Sequence, residues 1–225
     1  MIRAEYGIYK DAEIGTNAAH DAIGVVNLYG KYMFYSTGDF SFSANLGLKW
    51  FNPKNFWILS AEKRDELSAV NVYMIPVALT GSYVAADWIG LHLRLGYTFS
   101  TVDGALSEGD ALAEGGVGGH EVFLQPALTM YPLEGVAVIL GAQLPVYSGV
   151  YVNTYAETEV YPGVVAGGKV KEFQKLDVKE MNTLYLAVQL CWGSLNLRLT
   201  ATKGLRFFNE HIKTVLPGAE VFWRF

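Results

Sequence analysis

The sequence has a single cysteine, Cys191, among 225 residues. One cysteine excludes an intrachain disulfide and a zinc site built from cysteines. Charged residues are scarce at 17%, yet no run of about 18 uninterrupted apolar residues occurs, so helical membrane spans are excluded. Basic runs are also missing and the formal net charge is −5, so nucleic acid is not an expected partner.

The first ten residues, MIRAEYGIYK, lack the apolar segment of a signal peptide. If the protein is exported, we therefore interpret the chain as a mature form with an added Met. We expect residues 1–225 to form a single domain, because the length suits one large domain with one core or lumen.

A period of two recurs along the chain. In FSFSANLGLKW (40–50) apolar side chains alternate with Ser, Asn, Gly and Lys, and IGLHLRLGYTFS (89–100) alternates in the same way. Alternation of this kind predicts β-strands with one apolar face. The same pattern predicts ten strands in all, the other eight at 2–9, 22–35, 69–79, 121–131, 136–147, 183–192, 195–200 and 217–225.

Three features favour a membrane barrel over a soluble β-sandwich, which also alternates. The apolar faces are almost unbroken, whereas the opposite faces carry small polar residues that suit a narrow lumen. Short and long connections alternate, as in up-and-down membrane barrels. Aromatic residues gather at the strand ends, as at both membrane interfaces.

These connections and aromatic residues are distributed as follows. Short turns are predicted at 36–39, 80–87, 132–135 and 193–194, and longer loops at 10–21, 51–68, 102–119, 148–181 and 204–216. Aromatic residues near the short turns are Tyr35, Phe40, Trp88, Trp192, Trp223 and Phe225, and those on the loop side are Trp50, Phe51, Phe56, Trp57, Tyr97, Phe99, Phe207 and Phe208.

The predicted fold is therefore all-β, a transmembrane antiparallel up-and-down β-barrel of about 10 strands. Residues 150–160 also alternate, and with 164–176 they would add a hairpin and give 12 strands. Because 164–176 has no clean apolar face, we interpret both segments as strand extension and loop above the membrane.

The last strand carries a resemblance to a known class of proteins. Val221, Trp223 and Phe225 resemble the C-terminal assembly signal of bacterial outer-membrane β-barrels, whereas Glu220 stands where small residues are common in that signal. The resemblance implies recognition by the barrel-assembly machinery and a location in a Gram-negative outer membrane. The resemblance implies a cellular location and leaves the function open.

Charged residues on the polar faces of the strands predict a site in the lumen. Lys31, Arg94, Arg198 and Glu220 fall near the middle of their strands, with His92 beside Arg94. Either they pair and plug a narrow barrel, or they form a constriction that favours anions. By parity the lumen-facing charges are Arg3, Lys31, Lys49, Arg94, Arg198, Arg224, Glu5, Glu121 and Glu220, a net charge of +3.

Prolines interrupt the predicted strands, although a closed barrel has no edge for a residue without an N–H. Pro126 and Pro145 fall about three rungs apart on one ladder, and Pro76 lies in another strand. They predict either bulges that adjust curvature or a lateral gap between lumen and membrane. The segment GAQLPVYSGVYVN (141–153) resembles a stretch of outer-membrane transporters for hydrophobic compounds, of the fatty-acid and aromatic-hydrocarbon kind.

Enzymatic and metal sites find little support. Ten-stranded outer-membrane proteases use paired aspartates and an Asp-x-His arrangement, which Asn209-Glu210-His211 does not match. His92 faces inward and His120 has no evident serine partner for lipid hydrolysis. Acidic residues 103, 108, 110 and 114 lack calcium-loop spacing. We therefore expect no catalytic residues, metal or cofactor; the alternative is an outer-membrane lipid- or peptide-hydrolysing barrel.

The function predicted from the sequence is passive passage of a small solute through the barrel. One alternative is a closed barrel that acts as a surface-binding or structural protein through its external loops, chiefly 148–181. Another is lateral transfer of an apolar compound past the wall weakened by Pro126 and Pro145. Outer-membrane lipids and lipopolysaccharide are expected partners in each case.

Overall fold

A computed structural model describes residues 2–9, 11–17, 25–55, 59–66, 69–108, 111–161, 164–176, 178, 182–204 and 215–224. In these residues twelve strands form one sheet. The strands are β1 (Ile2–Tyr9), β2 (Ala12–Asn17), β3 (Val25–Thr37), β4 (Phe40–Phe51), β5 (Asn71–Ala86), β6 (Ile89–Glu108), β7 (Ala111–Leu133), β8 (Val136–Tyr161), β9 (Val164–Lys175), β10 (Thr183–Trp192), β11 (Leu195–Gly204) and β12 (Leu216–Arg224). A 3-10 turn (Pro53–Asn55) and a short helix α1 (Ala61–Glu66) lie between β4 and β5.

The sheet closes into a barrel. Each strand from β1 to β7 pairs with the next one. β8 pairs with β10, β10 with β11, β11 with β12, and β12 with β1, which closes the ring. Eleven strands therefore form the ring, and β9 pairs with the upper half of β8 outside it. A ring with an odd number of strands cannot alternate in direction throughout, and the β1–β12 pair is parallel.

The all-β barrel predicted from the sequence is confirmed, and its described strands reach the higher predicted count. The two additional strands are β2 and β9, which fall in segments predicted as loops at 10–21 and 148–181. β2 forms because residues 12–15 pair with β3 on one side and with β1 on the other. β9 forms because its backbone pairs with β8 from Gly149–Lys175 to Tyr161–Val164, although it has no clean apolar face.

Strand lengths differ around the barrel, because several predicted loops are paired strand extensions. The predicted loop 102–119 continues β6 and β7 as an unbroken ladder to Glu108–Ala111. The predicted turn 80–87 is also shorter than expected, since β5 continues to Ala86. Gly135 and Gly193 lie in two of the short turns with φ of 73° and 58°, which a residue with a Cβ rarely adopts.

The outward face of the ring is apolar. Leu46, Leu79 and Leu93 are 59%, 53% and 54% exposed, and no large side chain in the described residues is fully buried. A water-soluble protein of this size would bury such side chains in a core. The exposed band is what a transmembrane barrel presents to lipid, while small and polar residues face its interior. Within the described residues no helix is long and apolar enough to cross a membrane.

Aromatic side chains border this band on the short-turn side. Phe40 stacks on Tyr83 at 4.5 Å between ring centroids, and Trp88 and Trp192 are highly exposed. Of the other predicted belt residues, Phe56, Trp57, Phe207, Phe208 and Phe225 lie outside the described residues, as does the side chain of Trp223.

Candidate functional site: the barrel lumen

The interior of the barrel contains a cavity of about 670 Å³. Inward residues of β2 to β7, β10 and β11 line it, because alternate side chains of every strand point to the same side of the sheet. Its volume falls within the range of small-molecule sites, roughly 300–1,000 Å³. Side chains therefore leave room for a small solute at this depth.

The predicted lumen residues meet at this cavity. Lys31, His92, Arg94 and Arg198 line it, and Glu220 reaches it through an ion pair in which its carboxylate lies 3.5 Å from the Arg198 guanidinium. The register of the neighbouring strands explains this convergence. Arg94 pairs across the sheet with Thr80 and Gln125, and Arg198 with Glu220 and Gln189, while Lys31 pairs with Asn45.

Sequence reasoning missed an acidic residue of the lumen. Glu13 lies on β2, directly opposite Lys31, and the Lys31 ammonium is 3.8 Å from its carboxylate. The prediction of a loop at 10–21 removed Glu13 from the count of lumen charges. Glu121 faces inward further from the cavity and accepts a hydrogen bond from Gln143 at 3.2 Å. The side chains of Arg3, Glu5 and Arg224 lie outside the described set.

Positive charge exceeds negative charge around the cavity. Its described lining holds four cationic side chains, Lys31, Lys49, Arg94 and Arg198, and one carboxylate, Glu13. With Glu220 included, the balance is +2. The two carboxylates lie beside Lys31 and Arg198.

Side-chain hydrogen bonds hold the polar lining in place. The Arg198 Nε and an Nη donate to the same oxygen of Gln189 at 3.1 and 2.7 Å. His92 Nδ1 lies 2.9 Å from the Ser82 hydroxyl. Tyr185 forms a hydrogen bond with Gln125. These hydrogen bonds restrict the orientations of the side chains that line the cavity.

Aromatic rings in the lumen lie flat over glycines of the neighbouring strand. Phe123 is directly opposite Gly96, and Tyr185 is directly opposite Gly141. A Cβ at either glycine would overlap the ring across from it. The Arg94 guanidinium carbon lies 5.9 Å from the centre of the Phe123 ring, within reach of a cation–π contact. The glycines thus keep the rings against the wall and out of the passage.

The barrel wall is irregular at Pro145. Pairing of β7 with β8 includes Phe123–Pro145 and Leu124–Leu144 and resumes only at Ala127–Gly141, so Pro126 falls in the interruption. On the other edge of β8, pairing with β10 ends at Gln143. Pairing with β9 begins at Gly149, beside a bond from the Leu176 amide to the Ser148 carbonyl at 3.0 Å. Within the described part of the chain, residues 144–147 have no paired residue on that edge.

The remaining predictions concern catalysis and metal binding. His120 faces outward, where its Nδ1 is 2.6 Å from the Tyr97 hydroxyl. Asn209, Glu210 and His211 lie outside the described residues, as does Asp110. Across the ranges that are described, no group of three or more His, Cys, Asp or Glu side chains is placed to hold a metal ion.

The fold and the lumen define a transmembrane β-barrel with a polar interior, in which the described cavity lining carries a net positive charge. No family model and no curated protein matches the chain. Among solved structures it is similar to the P. putida toluene transporter TodX at 10% identity and a TM-score of 0.48, covering 86% of this chain and 56% of TodX.

Two receptor structures from Acinetobacter baumannii also match. BauA, the ferric preacinetobactin receptor, has 10% identity and a TM-score of 0.33. The match covers 94% of this chain and 36% of the BauA chain. The siderophore receptor PirA has 9% identity and a TM-score of 0.22. The match covers 95% of this chain and 48% of the PirA chain. The chain thus spans little more than half the length of TodX, and its assignment as a membrane barrel depends on its own strand pairing and surface.

Proposed function

We propose that the chain is a Gram-negative outer-membrane barrel that gives a small solute passive passage through its lumen. The cavity of about 670 Å³ in the barrel interior, lined by fixed polar side chains, is the observation that supports this function. In this proposal Lys31, Arg94, Arg198, Glu220 and His92 form the constriction. Val221, Trp223 and Phe225 serve as the signal for the barrel-assembly machinery.

The charge around the cavity indicates which solutes pass most readily. Rings of fixed positive charge in a pore lower the energy of anions and raise that of cations. The described lining has a balance of +2 once Glu220 is included, so small anions are the preferred solutes. The carboxylates of Glu13 and Glu220 offset Lys31 and Arg198 and so moderate the preference.

Recording from planar lipid bilayers tests this function. The folded barrel, checked by its heat-dependent mobility on denaturing gels, should give stepwise conductance increments. Replacing both Arg94 and Arg198 with Ala should change their size. A folded barrel that inserts without any increments, in either form, would contradict passage through the lumen. That result would support the closed barrel that acts through its external loops.

The interrupted wall at Pro145 favours a second candidate function, lateral transfer of an apolar compound. Pro145 is buried beside Phe123, and Val146 next to it is 55% exposed. Residues 142 and 143 of β8 lack pairs with β7, and residues 144–147 lack pairs on the other edge of β8 within the described chain. The wall can therefore separate here at a lower cost than a continuous ladder. An apolar molecule that rests against Phe123 would have a short path from lumen to lipid.

Replacing Pro126 and Pro145 together with Ala tests the lateral route. Each alanine supplies an N–H that can complete the ladder, so we expect an apolar fluorescent probe to enter the bilayer several-fold more slowly. Stopped-flow fluorescence with N-phenylnaphthylamine and proteoliposomes measures this rate. Pro217→Ala is the matched control. Pro217 lies on β12 and pairs with Ala201 of β11, away from the ladder between β7 and β8. An unchanged rate in the double variant would rule out a proline-dependent gap.

A further inference from the structure

We propose that the outer surface of β6 to β9 binds the phosphorylated headgroup of a lipid in the leaflet on the loop side. The site is an aromatic–lysine patch formed by Phe99, His120, Tyr151, Phe173, Lys171 and Lys175. This inference goes beyond passage through the lumen and does not require it. It rests on the outer-membrane location proposed above.

The patch continues the lipid-facing band toward the loops. Leu93 and Leu95 on β6 are 54% and 47% exposed on the outer face. Side chains of a strand alternate between faces, so Tyr97 and Phe99 follow them on the same side. His120 pairs with Phe99 across β6 and β7 and shares this outer face. The aromatic part of the patch therefore lies where the apolar band ends.

The rings form one contiguous cluster. The Phe99 and His120 ring centroids are 5.2 Å apart, and those of His120 and Tyr151 are 5.8 Å apart. The Tyr97 hydroxyl is 2.6 Å from His120 Nδ1 and fixes the imidazole against these rings. Aromatic side chains with a polar tip concentrate at the depth of lipid headgroups. The cluster thus sets the level at which a headgroup meets the barrel.

Two lysines flank the rings on the same face. Phe173 on β9 pairs with Tyr151, while Lys175 and Lys171 pair with the residues two positions to either side, Gly149 and Asn153. Both lysines are exposed. The Lys175 ammonium lies 5.9 Å from the centre of the Tyr147 ring, so its charge is held at the level of the aromatic cluster.

The charge of the patch matches a phosphate. Lys171 and Lys175 lie on β9, the last strand in the sheet order, so a lipid can approach them from the side. Glu172 alternates to the opposite face. Asp103 shares the outer face, where its carboxylate lies over Gly116 of β7, two strands from β9, and accepts a hydrogen bond from Thr101 at 3.0 Å. Lysines at a lipid surface attract anionic headgroups, and the rings beside them suit the lipid part of the molecule.

Native mass spectrometry of the full chain in detergent tests the site, with diphosphorylated lipid A as the probe. The wild-type barrel should retain the lipid. Lys171→Gln with Lys175→Gln should weaken its affinity by about tenfold to thirtyfold, from the usual contribution of each lysine at an anionic surface. The control is Lys54→Gln with Lys63→Gln, which removes two exposed lysines between β4 and β5 and should bind as the wild type does.

Three outcomes would overturn the proposal. The first is equal loss of affinity in both double variants, which would indicate a general charge effect. The second is equal binding of dephosphorylated lipid A, which would indicate that the phosphates are not recognised. The third is displacement by inorganic phosphate at the concentration of the lipid, which would identify a free-anion site. Conductance does not enter any of these measurements, so a failed channel proposal leaves this one open to test.

Discussion

A barrel in which Lys49 and Arg94 are both replaced by Glu is expected to prefer cations over anions. The two substitutions change the balance of the described cavity lining from +2 to −2. One charge about 8 Å from a permeating ion contributes roughly 0.5 kcal/mol in water, and salt reduces this further. Four units of charge therefore shift the ratio of anion to cation permeability by about tenfold or more, which the reversal potential in a salt gradient measures.

A matched control separates lumen charge from total charge. Lys171→Glu with Lys175→Glu makes the same change of four units on the outer face of β9, away from the cavity. The reversal potential of that variant should stay close to the wild-type value. If both variants shift it equally, the selectivity does not arise in the lumen. Lys49→Gln with Arg94→Gln brings the balance near zero and should give a weakly selective pore, and it serves if the glutamate variant does not fold.

Replacing Gly96 with Ala is expected to lower the conductance severalfold. The new Cβ overlaps the Phe123 ring, and the backbone of β6 cannot retreat because it is paired on both edges. The ring must therefore turn away from the wall and into the cavity, or the wall must spread. Overpacking of this kind typically costs about 1–3 kcal/mol. Single-channel conductance and the temperature at which heat-dependent gel mobility is lost measure the two effects separately.

A second substitution identifies the ring as the obstacle. Gly96→Ala combined with Phe123→Ala should restore the conductance, because no ring remains to enter the passage. Gly30→Ala is the control, since its Cβ would meet only the Glu13 carbonyl oxygen, at 3.8 Å. A double variant that conducts as poorly as Gly96→Ala alone would show that the wall, and not Phe123, had moved.

The strands were predictable from the sequence wherever one face is apolar. The predicted β10 at 183–192 matches the structure, and the alternation of 40–50 and 89–100 identified β4 and β6. β2 was not predictable, because AEIGTN is short and its membership of the sheet comes from pairing with β1 and β3. The strand extensions beyond the apolar band, such as the part of β6 and β7 in which Ala105 pairs with Glu114, were likewise missed because they pair without facing lipid.

The lumen was predictable as a set of inward charges but not as a set of partners. Parity along each strand gives the side to which Arg94 or Arg198 points, which needs no knowledge of the neighbouring strand. The partner across the sheet depends on the strand register. A slip of one residue moves every side chain of the strand to the opposite face. The Arg198–Glu220 proximity followed from their places near the middle of two consecutive predicted strands, whereas Lys31–Glu13 depends on a strand that the pattern did not reveal. Similarly, no local signal indicated that Phe123 covers Gly96.

The parallel pairing of β1 with β12 bears on how the barrel is completed. It consists of four pairs, from Ile2–Val221 to Glu5–Arg224, while β6 and β7 share a ladder of twenty pairs. Hairpins such as β6–β7 bring together neighbouring segments of the chain, so they can form early. The seam must wait until the last strand is present, and its slanted hydrogen bonds are slightly weaker than those of antiparallel pairs. Closure is therefore a late, all-chain event, and the unclosed sheet exposes two strand edges that must be protected until β12 arrives.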